Sequence, residues 1–180
     1  MRRPGIAALI AVATLAAFAI GAGPRTGLAV TPETPDDVRR LAEATWARFA
    51  ETFAAHPGCV RPVTVAGVWE LDDRAVYEPG TATIRVRIPG TAPNLEATLL
   101  HELAHHLDAS CPDRELRVDF LAATGRDPAT PWWRGERWAE TPAERFAEAA
   151  VRVVMDGVPA HVLIDVDPDE IEVVRGWAGG

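Results

Sequence analysis

Apolar residues recur every three or four positions between residues 38 and 53, and this spacing predicts an amphipathic helix. Pro35 followed by Asp36 and Asp37 is typical of a helix start, because Pro suits the first turn and acidic groups favour the positive end of the helix dipole. We therefore expect a first helix that buries one side against the core. Its apolar face consists of Val38, Leu41, Thr45, Phe49 and Phe53.

The hydrophobic period changes to two between residues 63 and 88, which is typical of half-buried strands. Apolar runs or alternations lie at 63–65, 68–71 and 83–88. Turn-forming pairs separate or follow them, namely Asp72-Asp73, Pro79-Gly80 and Pro89-Gly90. The pattern predicts three or four short strands.

The rest of the chain has helical spacing, interrupted at 126–138 by a loop rich in Pro, Gly and Trp. Helices are predicted over 93–108, 114–124 and 141–155, with a short last helix that begins at Asp167 and Pro168. No internal repeat or linker divides this part of the sequence. Strands followed by helices in this order indicate one α+β domain over residues 30–180.

Residues 1–29 have the pattern of a secretory signal peptide, with a basic start, an apolar run and small residues after it. The apolar run Ile6–Ile20 is shorter than the roughly 20 residues of a membrane-spanning helix. We expect cleavage after Ala29, with a cut near Gly21 or Gly23 as the alternative. The protein is then secreted; an uncleaved signal would instead anchor it to the membrane.

The chain has two cysteines, Cys59 and Cys111. An even number of cysteines in an exported chain predicts a disulfide. Metal binding by either thiol is the alternative, but no Cys-x-x-Cys spacing supports it.

The formal net charge of −8 excludes the function classes that depend on clustered positive charge. Nucleic acids and anionic membrane surfaces both attract basic proteins, and this one is acidic. We therefore expect neither as a partner, apart from the membrane that the export signal crosses. We also expect the protein to be a monomer.

The strongest chemical signal is the motif His-Glu-x-x-His at His101, Glu102 and His105. Residues four apart lie on the same helix face, so both histidines can direct a ring nitrogen at a single Zn²⁺. Glu102 then stands beside the metal, where it can act as the general base for a water molecule. The motif predicts one zinc ion per chain.

A catalytic zinc needs a third protein ligand, and Glu144 and Glu148 on the predicted helix 141–155 are the best candidates. They are four residues apart, so one can bind zinc while the other holds a ligand histidine in place. Thr141-x-x-Glu144 also matches a capping box, in which Glu144 would bond to the start of its own helix and leave Glu148 as the ligand. Asp108 and Asp119 are further alternatives.

The sequence His-Glu-Leu-Ala-His, followed some forty residues later by Glu-x-Phe-Ala-Glu, resembles the glutamate-zincin (gluzincin) metallopeptidases. The second motif is similar to that of lethal-factor-type toxin peptidases and of compact single-domain members. The resemblance implies His101, His105 and Glu144 as zinc ligands, Glu102 as general base and Glu148 as the acid that supports a ligand.

The resemblance also implies a zincin-like fold, in which a small twisted sheet packs on the motif helix and the second ligand helix, with an edge strand above the zinc. The strand 83–88 fits that edge best. The implied activity is zinc-dependent hydrolysis of peptide bonds in a peptide or protein substrate. The alternative is an exported zinc-binding interaction domain with little or no catalytic activity.

Two features of the site stay open at this point. Toxin-type members carry a tyrosine two turns before the ligand glutamate, where this chain has Arg137 and Trp138, so the group that stabilises the oxyanion is open among Arg137, His161 and Tyr77. The tryptophans Trp132, Trp133 and Trp138 lie between the two motifs, where they either anchor the loop or form a wall of the substrate site.

Overall fold

The computed structural model describes residues 27–157 and 163–180. Residues 1–26, which hold most of the predicted export signal, and His161 lie outside the described residues. In the described part of the chain, no helix is long and apolar enough to cross a membrane. The strands are β1 (Leu28–Val30), β2 (Val63–Val68), β3 (Ala75–Glu78) and β4 (Thr83–Arg87). The helices are α1 (Asp36–Thr52), α2 (Ala92–Ser110), α3 (Arg114–Ala123), α4 (Pro142–Met155) and α5 (Pro168–Gly179), with one 3-10 turn at Trp138–Glu140.

The predicted α+β class is confirmed, with a four-stranded mixed sheet in the order β1-β2-β4-β3. β1, β2 and β4 run parallel, and β3 pairs antiparallel with β4 at the edge. The prediction that strand 83–88 forms the edge is therefore wrong. β4 is an interior strand because Ile84 lies between Val65 of β2 and Tyr77 of β3 in the pairing register.

The prediction of a strand at 68–71 is also wrong. Val68 is the last residue of β2, and the chain then bends, leaving the Trp69 side chain 68% exposed. The strand that follows is β3, in which every residue is only partly buried. An edge strand with no fully buried face has little alternation, so the sequence pattern did not reveal it.

β1 comes from residues that the sequence pattern assigned to the end of the export signal. The Val63 N–H donates to the Gly27 C=O at 2.8 Å, and the Thr31 N–H donates to the Val65 C=O at 3.0 Å. Gly27 has a φ of +116°, and a Cβ at this position would lie 2.8 Å from the Trp46 ring. Cleavage after Ala29 would remove most of β1, whereas a cut near Gly21 or Gly23 would keep it.

Helix α2 is the centre of the molecule and packs against α1, α4, β3 and β4. Every residue from His101 to Asp108 is buried, so this half of the helix contacts protein on all sides. Burying each large apolar side chain of the core contributes about 1.5–3 kcal/mol relative to exposure. The core includes Phe49, Phe53, Ile84, Val86, Leu99, Leu103, Leu107, Phe120 and Phe146.

The predicted disulfide between Cys59 and Cys111 is confirmed. Cys111 directly follows α2, and Cys59 lies in the segment that leads into β2. The bridge closes a loop of 52 residues, which in the chain-entropy model is worth about 4 kcal/mol. It fixes the end of the motif helix to the chain that enters the sheet.

Candidate metal centre

Three side-chain donor atoms from α2 and α4 converge on one point. The Nε2 atoms of His101 and His105 lie 3.2 Å apart, and Glu144 Oε2 lies 3.0 Å from the first and 3.2 Å from the second. A tetrahedral Zn²⁺ with ligands at about 2.0–2.1 Å holds its donor atoms about 3.3 Å apart. The triangle therefore has the size that a metal ion of this kind requires, and these three residues form a group that could hold one.

The two helices bring the donors together for separate reasons. His101 and His105 are four residues apart on α2, which aligns their rings on one face at a centroid distance of 4.8 Å. Glu144 lies in the first turn of α4, and α4 packs along α2. The start of α4 is fixed by a hydrogen bond from the Ala143 N–H to the Trp132 C=O at 3.0 Å.

The capping-box alternative for Glu144 is not formed. Thr141 is the N-cap of α4, but its side chain makes no capping hydrogen bond; the hydroxyl donates instead to the Arg137 C=O at 3.4 Å. The Glu144 carboxylate faces the two histidines. The capping role therefore does not compete with metal binding for this residue.

Glu148 lies one turn further along α4 and is 1% exposed. Its Oε2 is 3.7 Å from Nδ1 of His101, and its Oε1 is 3.7 Å from Nε of Arg152. Among the described residues, His101 Nδ1 and Arg152 Nε are buried side-chain atoms without a hydrogen-bond partner, and so is Nδ1 of His105. Glu148 thus faces the ring nitrogen of His101 that Glu144 does not contact.

The charges of the metal-free site are strongly coupled. Burial alone would lower the pKa of His101, but the carboxylates of Glu144 and Glu148 and the charge of Glu102 outweigh it and raise the pKa to about 9. Burial would raise the pKa of Glu144, but its bonds to His101 and His105 lower the pKa to about 2. In the metal-free site these pKa shifts favour a protonated His101 beside an ionised Glu144.

Glu102 is buried next to this group, at the wall of a cavity. Burial raises its pKa, against the opposing effect of His101 and His105. The backbone of Tyr77 in β3 also opposes this rise in the pKa of Glu102. A carboxylate with a raised pKa is better matched to proton transfer near neutral pH than an exposed one.

The cavity has a volume of about 470 Å³ and lies between the metal group and the edge strand β3. The Arg87 N–H donates to the Arg74 C=O at 2.8 Å, so these two residues form a hydrogen-bonded pair between β4 and β3. Because every second pair of an antiparallel ladder is hydrogen-bonded, Val76 and Arg85 form the next such pair. The backbone groups of Ala75 and Tyr77 consequently point away from β4. This edge of the sheet borders the cavity.

The Tyr77 side chain is tied to α2 through His106. His106 Nε2 lies 3.0 Å from the Arg61 C=O, which can only accept, so Nε2 carries the proton and Nδ1 accepts from the Tyr77 hydroxyl at 3.0 Å. Burial lowers the pKa of His106, which favours this neutral form. The Tyr77 hydroxyl proton is therefore engaged with His106. The sequence pattern gave no sign of this interaction, because Tyr77, His106 and Arg61 lie on three separate parts of the chain.

Asp108, Asp119 and Arg137 do not belong to the metal group. The Asp108 carboxylate accepts from Arg117 at 2.7 Å and from the Trp132 indole N–H at 2.7 Å, and Asp119 is exposed on α3. Arg137 is exposed and pairs with Glu140.

Comparisons with protein-family models, with curated proteins and with solved structures found no match. The chemistry of the site is therefore the basis for assigning a function. That chemistry is a buried His/His/Glu group, a buried glutamate beside it and a cavity bordered by a sheet edge.

Proposed function

We propose that this chain is an exported zinc metallopeptidase of the glutamate-zincin type. His101, His105 and Glu144 hold the zinc, and Glu102 is the general base. The observation that carries the proposal is the convergence of three donor atoms within 3.0–3.2 Å of one another beside a buried glutamate.

The donor set fits a catalytic zinc better than a structural one. Structural zinc sites are usually closed by four protein ligands, whereas catalytic sites have three and keep a position for water or substrate. The three donors here border a cavity, which provides that position. When bound, zinc would lower the pKa of a water molecule and polarise a substrate carbonyl.

Glu102 is the group that moves protons in this proposal. It lies next to His101 in the sequence, it lines the cavity, and burial raises its pKa. It would accept a proton from the attacking water and deliver it to the leaving amine.

The sheet edge gives the substrate backbone a place to bind. Ala75 and Tyr77 direct backbone groups away from β4, and β3 borders the cavity. An extended peptide can add to such an edge as a further strand, main chain to main chain. An antiparallel edge strand beside two ligand helices also supports a zincin-like fold, with β3 in the position that the sequence assigned to strand 83–88.

Export is supported by the disulfide, since such bonds persist mainly in oxidising compartments. We propose that the signal is cut near Gly21 or Gly23, which keeps β1, and that the protein acts outside the cell.

The test is to measure zinc content and cleavage of unfolded casein by the purified protein and by Glu102→Gln. We expect about one zinc per chain in both proteins, cleavage by the wild type and loss of cleavage in Glu102→Gln. Chelation should abolish the activity, and added zinc should restore it.

Two results would contradict the proposal in different ways. Zinc in both proteins without cleavage of any peptide would favour the zinc-binding interaction domain. Cleavage that survives Glu102→Gln would remove Glu102 as the general base.

A further inference from the structure

The three tryptophans between α3 and α4 have different environments. Trp132 is 8% exposed, packs on Phe120 and Phe146, and donates its indole N–H to Asp108. Trp133 and Trp138 are each 51% exposed. Trp132 therefore anchors the loop, and the other two tryptophans need another explanation.

Each exposed tryptophan lies against one of the two motif histidines. The Trp138 ring is 6.0 Å from the His101 ring, and the Trp133 ring is 5.8 Å from the His105 ring. Both indoles line the same cavity as Glu102 and Glu144. Two large apolar surfaces thus flank the metal group, half covered by protein and half open to the cavity.

Beyond the metal group the cavity has apolar side chains on its wall as well as the polar residues Asp73, Arg74 and Thr98. Val76 and Pro79 line the β3 side, and Leu163 contributes from the segment before α5. Exposed indole surface gains free energy when an apolar group covers it, and aromatic rings gain further from stacked or edge-to-face contacts. The ligand group that suits this wall is a bulky apolar or aromatic side chain.

We propose that Trp133 and Trp138 determine specificity, and that the site selects peptides with an aromatic or large apolar side chain next to the metal group. This inference rests on the proposed function for the identity of the ligand as a peptide. Trp132 acts as a positioning residue, since it holds the loop that carries the two exposed indoles.

The test measures binding rather than turnover. Zinc-loaded Glu102→Gln protein is titrated calorimetrically with blocked pentapeptides Gly-Gly-X-Gly-Gly, in which X is Phe, Leu or Ala. We expect the Phe peptide to bind most tightly and the Ala peptide least tightly. Trp133→Ala and Trp138→Ala should each reduce the Phe-to-Ala affinity ratio by about 2- to 10-fold, the range typical of an aromatic contact.

Trp69→Ala is the matched control. Trp69 is also largely exposed but does not line the cavity, so the affinity ratio should not change. Zinc content is measured in every variant. If an alanine variant loses zinc, the corresponding Trp→Phe variant replaces it, and the reduced ring should still lower the preference for Phe.

The results separate this inference from the proposed function. A preference for Phe that depends on both tryptophans supports the inference even if the wild type cleaves nothing. Cleavage by the wild type, combined with a Phe-to-Ala ratio that neither tryptophan affects, would overturn the inference and leave the peptidase proposal intact. Binding of chitotriose that depends on the tryptophans, without any effect on peptides, would also overturn it.

Discussion

Helix α2 takes part in two carboxylate-centred clusters, one at its own Asp108 and one where its two motif histidines meet Glu144 of α4, and these clusters are completed in opposite ways. At Asp108 the carboxylate receives hydrogen bonds from the Arg117 guanidinium and the Trp132 indole, so donors and a cation are supplied by the chain itself. At Glu144 the carboxylate meets two imidazole nitrogens instead of a guanidinium and an indole.

The difference separates a structural cluster from a candidate functional one. Asp108 and Arg117 satisfy each other whatever is bound, and they fix the loop that leads into α4. The Glu144 group gathers three atoms that are all good metal ligands, and without a metal it retains a proton. The convergence of three possible metal ligands is therefore the more informative feature.

The largest expected effect comes from removing a ligand. Glu144→Ala should lower zinc affinity by at least about 100-fold, since three ligands share a large binding free energy. Asp108→Asn should leave the affinity within a few-fold. Titration with a competing chelator measures both, and equal losses in the two variants would contradict the division between the clusters.

Asp108→Asn should instead destabilise the fold. The variant weakens charged hydrogen bonds to Arg117 and Trp132, and we expect a loss of about 2 kcal/mol in the free energy of unfolding. Urea denaturation with chelator present removes any contribution from bound metal. An unchanged unfolding midpoint would mean that the Asp108 cluster does not hold the loop.

Glu148 should have a smaller effect on zinc than Glu144. It faces the Nδ1 atom of His101 at 3.7 Å and does not reach the metal group, so Glu148→Ala should lower zinc affinity by about 10- to 100-fold. Glu148→Gln keeps a polar partner for His101, so its zinc affinity should lie between those of the wild type and Glu148→Ala. Complete loss of zinc with Glu148→Ala, but not with Glu144→Ala, would make Glu148 the third ligand.

The smallest expected effect is on the pH dependence of stability. It sharpens the contrast because the proton that titrates lies on His101, in the Glu144 cluster. In the metal-free protein the His101 pKa is raised from 6.5 to about 9, so its stabilising contribution is present below 6.5 and is lost as the pH rises towards 9. The Glu144 pKa is lowered from 4.5 to about 2, so its contribution is present above 4.5 and is lost as the pH falls towards 2.

These two groups therefore stabilise the metal-free fold most between about pH 4.5 and 6.5. Urea denaturation across pH 3–9 should show this maximum, and Glu144→Gln should flatten it. Zinc affinity should increase with pH over the upper part of the range, because the proton on His101 must leave before the metal binds. A stability curve that Glu144→Gln does not change would contradict the coupling.

Local features of the fold were predictable, and long-range ones were not. The helices α1 to α5 lie close to their predicted positions because their periodicity and end signals are contained within each segment. β1 was assigned to the export signal, since a short apolar stretch has no period of its own. β3 escaped notice because its residues are only partly buried, and its place at the edge depends on the pairing of β4 with β2.

The candidate site also has features that were predictable locally and features that depend on long-range contacts. His101, Glu102 and His105 were found from the sequence because a helix fixes the relative positions of residues one turn apart. The sequence left four acidic residues as candidates for the third ligand. Only the packing of α4 against α2 brings Glu144 to the histidines and leaves Glu148 at His101 Nδ1. Asp108 instead contacts Arg117 of α3 and Trp132 of the following loop.

The sequence by itself therefore determined the α+β class, the disulfide pair and the motif helix, since each follows from local spacing or from the presence of only two cysteines. The tertiary structure decided which carboxylate meets the histidines, which strand borders the cavity and which tryptophans face it. Those outcomes depend on how separate elements pack, because contacts between residues some forty positions apart leave no regular period in the sequence.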